Sequence, residues 1–476
     1  LLLNVVLGLL YKKIAIISLQ QDNLGYLCFW SNFADSINNK IKVNIMRNIL
    51  LTTTALATLF TGVASAHSTY VEKTITDSEG LNVSIGGSFE AQAATRSQKK
   101  AYTLKTNGET QGITPGNKNV GFDTIAAIHA TVKNKTAEGT TYGAQIGVLA
   151  TTQGQKSAGK SSLDRTFLFI ENDGMGRFEA GSNDGVVSTM RTGADSIARA
   201  TGGIDGDWHN YVVLTNLKNG DYLNFIQSPT TYLTNYQNSG LQAFDGDEKS
   251  RKINYYTPMY NGFQAGLTYT PDARNSGQDN IGKLNSTGYT QPAAKNAISG
   301  GVSWTGEFEK NQSLKVSVVG ETSNTTVTAA DKAAGNKYYD AKSVIVGGQY
   351  SYEDFSVAAS YGNQGKSGFA KNTTGVGLKG GSFWTLGAAY VQGPVGASVT
   401  YMNSTLNKNT LNLISLGLDY QVAPGLLPYA EVTYFTAKGK NTYTAPTAVV
   451  PAATNDTAGA YKNKGTAFIL GTKLMF

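Results

Sequence analysis

The feature that most constrains this chain is a period of two in hydrophobicity, repeated from residue 81 to the last residue. In 411–422, Ile414, Leu416, Leu418, Tyr420 and Val422 alternate with Ser415, Gly417, Asp419 and Gln421. In 395–405, Val395, Ala397, Val399 and Tyr401 alternate with Gly396, Ser398 and Thr400, and 263–271 repeats the pattern. Residues two apart lie on one face of a strand, so each segment has one apolar and one polar face. Sixteen segments read this way: 81–94, 120–133, 141–150, 164–171, 176–182, 251–257, 263–271, 297–308, 313–324, 343–352, 355–365, 383–392, 395–405, 411–422, 426–437 and 464–476.

A soluble sandwich or β-helix and a membrane barrel both contain such strands, and the connections discriminate between them. Those after the even-numbered segments are short, as in Glu353-Asp354, Gly393-Pro394 and Ala423-Pro424-Gly425. Those after the odd-numbered ones are long: 95–119, 151–163, 183–250, 272–296, 325–342, 366–382 and 438–463, with 406–410 the exception. A barrel in the outer membrane has this asymmetry, with tight turns on the periplasmic rim and long loops outside. Lipid offers no hydrogen bonds, so each strand needs a partner on both sides, and closure supplies it. The fold class expected is all-β, a transmembrane antiparallel β-barrel of 16 strands, wide enough to keep an aqueous lumen. Tyr269, Trp304, Tyr350, Tyr352, Tyr361, Tyr390, Tyr420 and Tyr434 fall near strand ends, where headgroup-level aromatics belong.

The N-terminal part is read separately. Met46-Arg47-Asn48, the apolar stretch 49–63 and Ala64-Ser65-Ala66 have the order of a secretory signal peptide. Three parts follow: an upstream segment 1–45 preceding a start at Met46, a signal peptide 46–66, and the barrel 67–476. Cys28 lies in the removed part, so the exported chain carries no disulfide. Loss of Lys12, Lys13, Lys40, Lys42, Arg47, Asp22 and Asp35 lowers the formal charge from +7 to +4, too little to suggest a nucleic-acid partner.

Four stretches carry a resemblance. Gly176-Arg-Phe-Glu-Ala-Gly-Ser-Asn-Asp-Gly185 resembles the fifth-strand signature of Gram-negative general diffusion porins. Lys252 to Asp272 is similar to their strand–turn–strand after the third loop, and Thr201-Gly-Gly-Ile-Asp-Gly206 resembles the Gly-rich loop of alphaproteobacterial porins. Phe476, with Phe468, Leu470, Thr472 and Leu474 on one face, resembles the C-terminal signal read by the barrel assembly machinery. The resemblance implies a homotrimer in contact with outer-membrane lipid and lipopolysaccharide. It also implies a third loop folded into each barrel to narrow the pore.

The site expected is therefore loop 3, 183–250, far longer than a hairpin needs. It carries Asp184, Asp195, Asp205, Asp207, Asp221, Asp245, Asp247 and Glu248. Of these, Asp184, Asp195, Asp205 and Asp207 are the expected constriction acids. Arg177, Lys252, Lys315 and Lys473 are the bases expected to face them from the wall, setting a transverse field that sorts solutes. Arg191 and Arg199 in the same loop blur that division, and Arg165 has no clear parity.

Catalysis is not expected. His67, His129 and His209 are the only histidines, and no triad or His/Cys metal spacing is present. His129 lies opposite Ala126, Ile128 and Ala130, towards the lumen. Calcium at Asp205-Gly206-Asp207 or Asp245-Gly246-Asp247 is compatible with two close carboxylates, as is a solvated turn. The function expected is passive diffusion of small hydrophilic solutes and ions. A substrate-specific channel and a plugged structural or adhesive surface barrel are the rivals.

Overall fold

The computed structural model describes residues 73–76, 81–98, 103–106, 109–112, 119–151, 163–212, 214, 225–234, 250–273, 293–308, 311–327, 332–369, 371, 379–439 and 461–476. The segments 1–45 and 46–66 lie outside the described residues, as do Asp221, Asp245, Asp247 and Glu248.

Sixteen strands form one antiparallel wall. They are β1 (Asn82–Gln98), β2 (Val120–Lys135), β3 (Thr141–Thr151), β4 (Leu163–Asn172), β5 (Gly176–Ser182), β6 (Arg251–Tyr256), β7 (Phe263–Asp272) and β8 (Ala293–Glu307). There follow β9 (Gln312–Thr326), β10 (Ala341–Tyr352), β11 (Phe355–Gly365), β12 (Gly381–Gln392), β13 (Val395–Leu406), β14 (Asn409–Tyr420), β15 (Leu426–Gly439) and β16 (Tyr461–Met475). Each pairs with the next, and β5 and β6 pair directly, Phe178 opposite Tyr255, despite the 68 residues between them. β16 pairs with β1, Leu470 opposite Ala93, and so closes the barrel. A short strand Lys73–Thr76 adds beside β1, and Thr103–Thr106 pairs with Glu109–Gly112 as a separate hairpin.

The two faces of the wall differ as the period of two requires. Ile85, Ile128, Leu168, Leu267, Val302, Val346, Leu386 and Leu416 point outward and are exposed, Leu168 by 65%. A water-soluble protein does not expose an apolar band on this scale, whereas lipid covers it. Two rows of aromatics border the band. Phe263, Trp304, Tyr352, Phe355 and Tyr420 lie towards the short turns, and Tyr269, Tyr361, Trp384, Tyr401 and Tyr434 towards the loops. Rings pair across strands within each row, Phe355 on Tyr390 at 4.6 Å and Trp384 on Tyr401 at 4.9 Å.

Strand limits match the sequence reading closely, except that most strands run further on the loop side. β1 continues to Gln98, β9 to Thr326 and β15 to Gly439, while β8 starts at Ala293 and β16 at Tyr461. Above the lipid both faces meet water, so the ladder continues after the alternation has stopped. The irregular connection at 406–410 is a two-residue turn, Asn407-Lys408. Both residues are left-handed, φ 48° and 67°, as in the hairpin turn that matches strand twist.

Candidate functional site

The inner face is graded from the loop side to the turn side. On β14 the inward residues run Leu411, Leu413, Ser415, Gly417, Asp419; on β15 they run Ala437, Phe435, Thr433, Glu431, Tyr429. Apolar side chains therefore stand near the loops, small ones at mid-height, and buried acids towards the turns.

Loop 3 packs on this face. Its start is fixed by the two signature stretches acting together. The Lys252 ammonium donates to the Asn183 and Ser250 carbonyls, the Asn254 amide donates to the Asp184 carbonyl, and Glu179 accepts from Asn183 and Asn254. Thr268 Oγ1 accepts the Val186 amide N–H and donates to Asn254. Gly176 has φ +82°, and a side chain there would overlap the Tyr256 carbonyl.

The loop then follows a line of small residues. α1 (Val186–Met190) sits over Gly266 and Gly301, where a Cβ on Gly266 would come within 2.7 Å of Val186. The Thr192 carbonyl fills the place of a side chain at Gly347, and Ala194 lies over Gly387. The Arg199 backbone crosses Gly417, and Gly203 rests on Thr400. Further along, Trp208 at the head of α2 (Trp208–Tyr211) packs on Phe435, while Phe225 and Ile226 join Phe383, Met402, Leu411 and Leu413 in one buried cluster. Burial of each large apolar side chain contributes roughly 1.5–3 kcal/mol before entropy, so this cluster outweighs any single polar clasp on the loop.

Polar clasps set the register. Arg199 Nε and Nη2 donate to the two Asp419 oxygens at 2.9 and 2.8 Å. Glu431 accepts from the Thr201 N–H, the Thr201 hydroxyl and the Gly203 N–H, which seats the Gly-rich turn with Gly202 and Gly203 at φ +124° and +65°. Glu321 accepts from Thr231 and from the Leu233 N–H.

The charges follow the expected pattern of loop acids against wall bases at one pair, Asp184 with Arg165, and differ from it elsewhere. Asp195 and Asp205 are internal partners of Arg191, at 2.6 and 2.9 Å, and Asp205 also accepts from Ser228. Asp207 accepts from Gln92 and Asn210, so the oxygens of the Asp205/Asp207 pair are engaged by protein donors. Asp184 pairs with Arg165, which β4 turns inward. Burial pushes the Asp195 carboxyl up, with Arg191 pulling against it, and pushes Asp207 up with help from Glu90. Burial also lowers His209, whose Nδ1 donates to the Gly206 carbonyl.

Among the expected wall bases, Lys252 is 3% exposed and serves loop carbonyls instead of a water path, because loop 3 starts directly above it. Arg177 is held between Glu171 and Glu179 and lies 4.3 Å from the Phe169 ring centroid. Lys473 pairs with Glu90 at 3.2 Å. Lys315 is inward and half-buried. The sequence reading missed Glu321, Asp419 and Glu431 as loop anchors. It also missed the line of small residues, although Gly347, Gly387 and Gly417 recur at mid-strand.

A closed sixteen-stranded barrel with an apolar belt, aromatic borders and a charged inner wall defines an outer-membrane channel. A model of the Gram-negative porin family matches residues 52–440, and the chain belongs to that family. It is 31% identical over 470 residues to an uncharacterised protein of Rickettsia felis, covering 90% of this chain and 100% of that one. A second, from Rickettsia typhi, is 32% identical over 410 residues, covering 77% and 87%. Among solved structures, the anion-selective porin from Comamonas acidovorans aligns with a TM-score of 0.52 at 13% identity, over 83% of this chain and 100% of that one, a likeness of fold. The protein is an outer-membrane porin.

Proposed function

We propose that small hydrophilic solutes and ions diffuse passively through this barrel, and that loop 3 sets the narrowest section of the path. The observation that carries this is the contact of 183–212 with inward-facing residues from β6 to β15, far from the rim. The apolar cluster of Phe225, Ile226, Phe383, Met402, Leu411, Leu413 and Phe435 fills part of the lumen beside β12–β15, which leaves a narrower path for water. No catalytic activity is proposed. Planar-bilayer recording tests the reading: discrete ohmic steps are expected, smaller than an empty barrel of this size would give. Silence from correctly folded protein favours a plugged barrel.

The assembly proposed is a homotrimer of chains starting at His67, set in lipid and lipopolysaccharide and inserted by the barrel assembly machinery. Support for a subunit contact comes from the outer face of β16, β1 and β2. There Thr472, Ala91 and Thr124 stand in one row of small residues across the three strands, between the exposed Phe89 and Phe122, and leave a groove with large apolar borders where a second subunit can seat. Native mass spectrometry of protein extracted from outer membranes should give three copies of residues 67–476. A monomer, or a subunit retaining residues 1–45, would overturn this assignment.

A further inference from the structure

We propose that a recess on the turn side of loop 3, between the loop and β14–β16, binds a small oxyanion of the phosphate or carboxylate type. The recess measures about 320 Å³ and is lined by Arg199, Asp419, Gln421, Leu427, Lys473 and Met475. This rests on the channel reading above only for its physiological meaning; binding itself is measured separately.

Two ion pairs meet this recess with the same orientation. In Arg199–Asp419 the base is 31% exposed and the acid 3%; in Lys473–Glu90 the base is 26% exposed and the acid 10%. Both acids are set back in the wall and both bases face the opening. Both acids are already engaged by protein donors. Asp419 accepts twice from Arg199 and once from the Ala200 N–H, while Glu90 accepts from Tyr429 at 2.5 Å and from Lys473. The bases have donors left over. A guanidinium has five N–H donors and two serve Asp419; an ammonium has three and one is directed at Glu90. A solute in the recess therefore meets spare N–H donors on two cations, with Asp419 and Glu90 behind them and Asp207 of loop 3 as a further acid acting on Lys473. Fixed donors on partly desolvated cations suit an oxyanion, since charge-assisted hydrogen bonds are the strong ones. The Gln421 side chain and the apolar floor of Leu427 and Met475 bound the site without adding negative charge.

The probe is inorganic phosphate, and the measurement is broadening of its phosphorus resonance by the folded barrel in detergent. The parent is expected to broaden the line saturably. K473Q should weaken binding roughly tenfold, the loss expected for one charge-assisted hydrogen bond. Gln421→Lys, which adds a donor at the lining, should strengthen it. Lys438→Gln, on β15 near the loops, should bind like the parent. Lys473 is chosen over Arg199 because Glu90 keeps Tyr429 as a partner when the lysine is replaced. Equal broadening by the parent, K473Q and Gln421→Lys would overturn the site, as would no saturable broadening by the parent. A barrel that binds phosphate but does not conduct would refute the channel reading and leave the site standing.

Discussion

Replacing Gly347 by valine should raise single-channel conductance while leaving the barrel assembled. Gly347 faces inward on β10, and its missing side chain is replaced by the Thr192 carbonyl of loop 3. A side chain there overlaps a backbone atom, which no rotamer change relieves. Overpacking of this kind costs about 1–3 kcal/mol. The wall itself has little to lose, because valine suits a strand and the pairings of Gly347 with Ser317 and Ser360 use backbone atoms only. The strain is therefore relieved on the loop side, by lifting 190–195 off the wall and opening the path. Gly348, the next residue, faces lipid and has Val316 at 3.4 Å from its would-be side chain. Gly348→Val is the matched control and should conduct like the parent. Unchanged conductance in assembled Gly347→Val would remove this part of loop 3 from the constriction.

The sequence revealed the barrel because lipid imposes a simple code. Wherever a strand crosses the belt its outward residues must be apolar, and the alternation is readable from a single segment such as 395–405. The code fails where its physical cause stops. Above the lipid, Thr325-Thr326 and Lys438-Gly439 remain in strands without alternating. On the inner wall near the loops, Leu411, Leu413, Phe435 and Met402 are apolar on the supposedly polar face, because loop 3 covers them. Leu413-Ile414 thus breaks the alternation locally, and that break is the trace the packed loop leaves in the sequence. The charges failed for another reason. Sign and parity placed Lys252 and Lys473 on the inner face correctly, yet parity does not say what lies opposite. Arg191 and Arg199 departed from the expected pattern by carrying positive charge on the loop to half-buried acids of the loop and a buried acid of the wall. Only the path of 183–212 across the barrel, set by residues far apart in sequence, determines those pairings.

Removing Phe476 should reduce the yield of assembled barrel far more than it destabilises a barrel already formed. The last residue is fastened to the first strand through its backbone. Gly87 N–H donates to the Phe476 carbonyl at 2.8 Å, and Phe476 N–H donates to the Gly87 carbonyl at 3.0 Å. Its ring covers Gly87, where a Cβ would come within 2.9 Å of it. Those contacts extend the β16–β1 pairing by one step, to the rim. In the finished barrel they are a small fraction of the ladder, two hydrogen bonds worth about 0.5–1.5 kcal/mol each. During assembly the situation differs, because β16 and β1 are open edges until they meet, and open edges pair wrongly or aggregate. A residue that fixes the register of that last pairing acts when the alternatives are most numerous. The truncated chain should therefore show a severalfold loss of heat-modifiable protein in the membrane, while the fraction that does assemble unfolds within a few degrees of the parent. Phe476→Ala separates the two contributions, since it keeps both backbone hydrogen bonds and loses the ring. An intermediate yield assigns part of the effect to the ring over Gly87, and a parental yield assigns all of it to the backbone. Equal amounts of heat-modifiable protein with and without residue 476 would exclude an assembly role for Phe476.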